Sequence, residues 1–252
     1  SYDEKDSTCT KRKDINFEKS LSKDFGSLNI GVIKNIEKLG INEDVINAYE
    51  TSKTVLTGLG HKLIEVDFSE LSSGICSYYV IAPAECSSNL SRFDGVKYGY
   101  RSEGEKDIAN LYMNTRSDGF GDEVKKRILI GTHVLSAGFY DAYYLQAQKV
   151  RRMIKVKFED FFKDVDLIFM PTTLDQAFEK NRKSDDPNRM YKEDLLTIPA
   201  NLAGLPAISF PNGFKNNLPI GGQLIGKYFG EDLLLNTTHK IQEVTDWHKM
   251  TP

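Results

Sequence analysis

Two short apolar runs, LNIGVIK (28–34) and HKLIEVDF (61–68), flank the segment EDVINAYETSKTVLTGLG (43–60). Within that segment Val45, Ile46, Tyr49, Val55 and Leu56 recur at helical spacing, and Gly58 and Gly60 stop the helix. The reading is strand, helix, strand. Such a unit buries one face of its helix against the strands, so it predicts a sheet with helical cover.

The same reasoning extends along the chain. A helix is expected from about Ser77 to Leu90, followed by the turn-rich RFDGVKYGYRSEGE and by helices near 106–115, 121–138 and 140–162. DLIFMP (166–171) reads as a short buried strand, PAISFP and PIGGQLIGK as paired strands joined through NGFKNNL, and EDLLLNTTHKIQEV as a closing amphipathic helix. Between them LDQAFEKNRKSDDPNRMYKED is polar and irregular enough to predict a functional or partner-facing loop. The simplest account is one α/β or α+β domain over residues 28–252. Residues 1–27 are polar and turn-rich, more like a linker between two halves than a natural beginning.

Composition narrows the function classes. The 252 residues carry 33 Lys and Arg against 36 Asp and Glu, a net charge of −3, which offers no broad basic footprint for nucleic acid. If RNA is handled, another chain holds it. Cys9, Cys76 and Cys86 are too few and too irregular for a disulfide framework or a zinc site, so a reducing compartment is expected. No apolar run is long enough to cross a bilayer and no secretory signal opens the chain, so a soluble, cytoplasmic protein is expected. The four scattered histidines form no metal motif, and no phosphate-binding glycine loop or GxSxG elbow is present.

Three residues draw attention. In GDEVKKRILIGTHVLSAGF (121–139) a helical arc of roughly 160° collects Val124, Ile128, Ile130, Val134 and Leu135 with Gly131 and Gly138, and Arg127 falls inside it. A permanent cation turned toward a core needs hydrogen-bonded anions. It is either a structural ion pair with an acid such as Glu85 or Asp94, a snorkelling stem, or a bidentate clamp on a substrate carboxylate, with the two glycines leaving space beside it. Asp194, in MYKEDLLTIPANLAGLP, either caps a helix beginning at Leu195 or serves a site. Tyr78 is either a core ring with a satisfied hydroxyl or part of a pocket wall.

PAECSSNLSRFDGVKYGYR, TRSDGFGDEVKKRILIGTHVLSAGFYDAYYLQAQKVRR, DDPNRMYKEDLLTIPANLAGLPAISFP and LPIGGQLIGKYF, taken in order, resemble the C-terminal half of the amidase signature family. Within that family the resemblance is to the glutaminase (A) subunits of glutamyl-tRNA(Gln) and aspartyl-tRNA(Asn) amidotransferases. It implies part of an α/β/α sandwich whose mixed sheet is covered by helices. It also implies glutamine as ammonia donor, a B subunit that activates misacylated tRNA with ATP and magnesium, a small C subunit, and a cytoplasmic or organelle-matrix setting. No cofactor is expected in this chain.

The resemblance assigns Arg127 to the α-carboxylate of glutamine, Asp194 to its α-ammonium and Tyr78 to the same pocket. A zwitterionic ligand calls for one fixed cation and one fixed anion, which suits that pair. The family's Lys, cis-Ser, Ser triad lies upstream of the segment that SYDEKDST resembles. Ser87, Ser88 and Ser209 lack the lysine partner and glycine context of an activated nucleophile, so no catalytic residue is expected here. The expectation is a chain that orients glutamine and is inactive alone, either as a C-terminal piece of a working enzyme or as a degraded sequence. A sheet cut in its middle would leave apolar edges, predicting poor solubility or association without an N-terminal half. Two other readings stay open: another amidase signature hydrolase acting on a simple amide, and a non-catalytic scaffold that holds a partner through 176–194.

Overall fold

The computed structural model describes residues 2–12, 15–104, 106–178 and 193–252. The backbone packs as two compact units. One comprises residues 1–70 and 157–252, and the other residues 71–156.

In the first unit the elements are α1 (Phe17–Leu21), β1 (Asn29–Ile33), α2 (Glu43–Gly58) and β2 (Lys62–Val66). After the second unit come β3 (Leu167–Pro171), a short helix Ile198–Ala203, β4 (Ala207–Lys215), β5 (Leu218–Gly226) and a closing helix Glu231–Glu243. The five strands form one sheet in the order β2-β1-β3-β5-β4. β1 pairs in parallel with β2 and β3, while β5 pairs antiparallel with both β3 and β4. The sheet is therefore mixed, and the expected strand, helix, strand unit is its parallel edge. β3 is buried throughout and β1 nearly so, as continuous apolar runs in a covered sheet should be, whereas the edge strand β2 is half exposed.

α2 starts where the Asn42 side chain accepts from the Asp44 amide at 2.8 Å, and it buries Val45, Ala48, Tyr49, Ser52 and Leu56. Its Tyr49 ring stacks on Phe169 of β3 at 5.1 Å, and the Ile33 amide donates to its hydroxyl at 2.8 Å. Burial pushes the Tyr49 phenol up, so it stays protonated as that acceptor. Leu234 of the closing helix covers the space that Gly226 leaves open on β5. Residues 1–27 include α1, which packs on the closing helix. There the Asn236 amide donates to the carbonyls of Ser20, Leu21 and Lys23 at 2.8–3.0 Å.

The hairpin differs from expectation. NGFK is strand rather than loop, because Asn216 and Asn217, at φ 52° and 61°, make a two-residue turn of the kind whose twist suits a hairpin. The extra residue is absorbed at Asn212, where the register slips between Pro211 and Gly213. PIGGQLIG is a tight-packing sequence, as expected. A side chain at Gly222 would meet Phe169 at 3.0 Å and Asn212 at 3.1 Å.

The second unit is helical. It holds α3 (Gly74–Leu90), α4 (Ile108–Gly119) and α5 (Asp122–Val134), then a wide turn Tyr140–Leu145 that runs into α6 (Gln146–Asp164). α6 continues past residue 156 into the first unit. With α6 in place, the short helix Ile198–Ala203 is α7 and the closing helix Glu231–Glu243 is α8. α5 ends four residues earlier than its apolar pattern suggests. Gly138, at φ 85°, lies in the turn that follows and is not on the helical arc.

Candidate functional site

α5 carries Arg127 and is held at one close seam. Gly131 lies so near α3 that an added Cβ would collide with the Pro83 carbonyl and stand 2.7 Å from Ser87 Cβ. Beside the seam Ser87 Oγ and Thr132 Oγ1 are 2.9 Å apart. The expectation that Gly131 leaves ligand space next to Arg127 is therefore corrected: its missing side chain is filled by the neighbouring helix. Gly138, in the turn after α5, has nothing within 4 Å of where a Cβ would stand, but it is not on the helical arc that carries Arg127.

The Arg127 side chain is about 32% exposed, not buried. Its Nε donates to Glu123 Oε1 at 3.1 Å, one turn earlier on α5. Its Nη1 donates to the Tyr78 hydroxyl of α3 at a long 3.5 Å. The Tyr78 hydroxyl, followed by the Glu123 carboxylate, holds the guanidinium above its ordinary pKa, so it is a permanent cation. The ion pair that forms is a partly exposed one with Glu123 on the same helix, and not one with a core acid such as Glu85 or Asp94. Glu85 instead accepts from the Tyr144 hydroxyl at 3.3 Å, and Asp94 accepts from the Val96 amide at 2.9 Å. The sequence signal for Glu123 was available, because Glu four residues before Arg is a standard helical pair.

Tyr78 is half-buried, with the Tyr79 ring edge-on at 5.0 Å. Its hydroxyl faces the cation, so it is more than a filler of the core. The helical unit thus brings two of the three expected residues together, with the Nη edge of Arg127 shaped for a planar carboxylate.

Asp194 belongs to the sheet unit and is half-buried. Helix α7 begins at Ile198 and not at Leu195, so the Asp194 side chain is not its N-cap; Thr197 occupies that position. The backbone carbonyl of Asp194 instead closes the preceding turn, accepting from the amides of Thr197 at 3.2 Å and Ile198 at 3.0 Å. Sequence reasoning missed Gln223, a buried amide on β5 that donates to the Pro171 carbonyl at 3.1 Å and to the Leu196 carbonyl at 2.9 Å. A polar residue inside PIGGQLIG was the available signal.

Ser209 Oγ and Thr172 Oγ1 lie 3.0 Å apart, hydroxyl to hydroxyl, a contact that supplies no base. A cleft of about 400 Å³ beside β4 and β5 is lined by Phe214, Pro219 and Met250 among others, and one of about 640 Å³ in the helical unit by Arg101, Glu103 and Lys106 among others. Neither is lined by Arg127, Tyr78 or Asp194. Among the described residues no group of three or more His, Cys, Asp and Glu is set to hold a metal ion, and no helix is long and apolar enough to cross a membrane. Most of the loop offered to a scaffold partner, 179–192, lies outside the described residues.

The sheet unit is a mixed five-stranded sheet with helical cover, with Gly221, Gly222 and Gln223 inside it on β5, an α/β arrangement. The chain belongs to the amidase family, whose model matches residues 1–235. It is 49% identical over its whole length to the A subunit of glutamyl-tRNA(Gln) amidotransferase from Coxiella burnetii, and 50% identical to that from Hahella chejuensis. In each case it covers 52% of the relative, so the chain spans about half the length of the curated relatives it matches. The crystal structure of the corresponding protein from Thermotoga maritima superposes with a TM-score of 0.75 at 36% identity, over 99% of this chain and 50% of that one. A 6-aminohexanoate cyclic dimer hydrolase shares the fold at a TM-score of 0.74 and 20% identity, over 100% of this chain and 52% of the hydrolase.

Proposed function

We propose that this chain is the glutamine-binding, C-terminal part of the glutaminase (A) component of a tRNA-dependent amidotransferase, with residues 28–252 contributing to one amidase domain. The 49% identity over the whole chain to a glutamyl-tRNA(Gln) amidotransferase component carries the reading. The assembled enzyme hydrolyses glutamine, and the ammonia converts Glu-tRNA(Gln) or Asp-tRNA(Asn) to the correctly amidated form. ATP and magnesium belong to the B subunit, which also holds the misacylated tRNA, and a C subunit joins the two. The setting is the cytoplasm or an organelle matrix.

The chain's part is recognition of the amino-acid end of glutamine. The Arg127 fork receives the α-carboxylate, with the Tyr78 hydroxyl and Glu123 fixing its plane. Asp194 receives the α-ammonium. The nucleophile comes from the N-terminal half, so the isolated chain releases no ammonia. A charge pair of this kind has little use in hydrolysis of an apolar amide, which favours glutamine over the alternative hydrolase reading.

The test mixes the chain with an N-terminal amidase half carrying the Lys, Ser, Ser triad and measures ammonia released from glutamine. Activity is expected only in the mixture. Arg127→Ala should then lower kcat/KM by about 1.5–3 kcal/mol, the range for a hydrogen bond to a charged group. Unchanged kinetics in that variant would remove Arg127 from the site. No activity in the mixture, together with tight binding of a partner, would favour the scaffold.

A further inference from the structure

Gln223 is 3% exposed and sits in the middle of β5, opposite Met170 of β3 and Ser209 of β4. A primary amide at such a position is costly unless its hydrogen bonds are made. Its Nε2 reaches two carbonyls from different elements: Pro171, the last residue of β3, and Leu196, in the turn that precedes α7. A strand residue has thereby been used to fasten a turn that makes no strand ladder of its own. Leu196 is itself fully buried.

The fastened turn carries Asp194 two residues upstream. Between the Leu196 anchor and α7 the backbone is closed by the Asp194 carbonyl, which takes the amides of Thr197 and Ile198. α7 is stopped in turn at Gly204, with φ 73°, where the Leu205 amide bonds back to the Ala200 carbonyl at 3.0 Å. The turn is thus held at the sheet through Gln223 and at the helix through its own hydrogen bonds. At the helix end the Thr197 hydroxyl and the Asn201 amide add side-chain bonds to the Asp194 and Thr197 carbonyls, whereas the sheet end is fastened through the Gln223 amide.

We infer that Gln223 is a positioning residue for glutamine recognition, acting through the Leu196 carbonyl to set where the Asp194 carboxylate stands. This rests on the proposed role of Asp194 as the acceptor of the α-ammonium. It implies that loss of the two Nε2 bonds weakens selection of the α-ammonium and leaves the acyl chemistry unchanged.

The experiment uses the reconstituted glutaminase, comparing the KM for L-glutamine with the inhibition constant of glutaramate, which has the same chain and amide without the α-amino group. Asp194→Asn should raise KM for glutamine roughly tenfold and leave glutaramate binding within about twofold. Gln223→Met keeps the volume and loses both donors; it should raise KM by about fivefold or more, with kcat and glutaramate binding within about twofold. Gln223→Glu should fall between, since a buried carboxyl facing two carbonyls takes up a proton and restores one donor. It also carries the test if the Met variant does not fold. Normal KM in Gln223→Met alongside a defective Asp194→Asn overturns the inference, and so does an equal loss for both ligands, which marks a merely structural role. An Asp194→Asn variant that still prefers glutamine overturns the reading of Asp194 and the inference with it.

Discussion

The sheet unit and the helical unit bury apolar side chains to different extents. In the sheet unit Ile30, Tyr49, Leu167, Phe169 and Leu224 are fully buried, and the Phe169 ring stacks with Tyr49 and Phe210 of the same unit. In the helical unit α5 buries only Gly131 and Val134, and α4 only Leu111 and Thr115. Leu129 is 71% exposed, and Ile108 and Met113 are more than 60% exposed. Single exposed apolar residues are ordinary, but so many on adjoining helices mark a surface that favours association. An apolar stripe on a helix shows that the helix has a face to cover and does not show which surface covers it.

If the helical unit is held mainly at the α3–α5 seam, that seam should be where it breaks. Gly131→Ala puts a methyl group into the Pro83 carbonyl, and a backbone atom in a helix cannot move aside as a side chain can. Loss of about 3 kcal/mol or more is expected, seen as a lower Tm in the helical circular dichroism signal. An unchanged Tm would mean that the two helices do not meet at Gly131 in solution. The next largest effect contrasts the units directly. Leu224→Ala should cost about 2–5 kcal/mol, as for other core leucines, while Leu129→Ala should change stability by no more than about 0.5 kcal/mol. Urea titration of both variants measures the pair. Equal losses would erase the distinction, and a gain in solubility for Leu129→Lys would sharpen it.

The same contrast explains what is legible in the sequence. The strand, helix, strand unit, β3 and α8 can be read there because their apolar pattern is satisfied by neighbours close in the fold, so period and burial agree. The α5 arc obeys the period, yet Arg127 is partly exposed, because it pairs with Glu123 one turn earlier on its own helix and not with a core acid. The hairpin departs from expectation at NGFK because a two-residue Asn-Asn turn looks, in sequence, like part of a longer polar loop. Asp194 and Tyr78 are legible as candidates through resemblance. Gln223 is marked in sequence only as a polar residue inside an apolar strand, and nothing local to β5 announces its bond to a turn 27 residues earlier.

The smallest effect separates the units by acid. His61 is 7% exposed in the sheet unit, and its Nδ1 accepts from the Leu28 amide at 3.2 Å. The neutral ring therefore carries its proton on Nε2, which is buried and has no partner among the described residues. Burial, and then the charge of Lys240, holds its pKa below the ordinary 6.5. The unfolded chain takes up this proton at a higher pH than the folded one. His61 thus contributes its full stability above about pH 6.5 and loses it as pH falls toward the depressed value, below which both states are protonated. One proton limits the slope to about 1.4 kcal/mol per pH unit. Urea midpoints at pH 7.5 and 5.5 should differ more for the native sequence than for His61→Gln, which keeps an acceptor for the Leu28 amide and does not titrate. His133, in the helical unit, is exposed with its ring 4.3 Å from Phe139. If His133→Gln rather than His61→Gln flattened the acid loss, the acid-sensitive packing would lie in the helical unit and the contrast drawn from burial would be reversed.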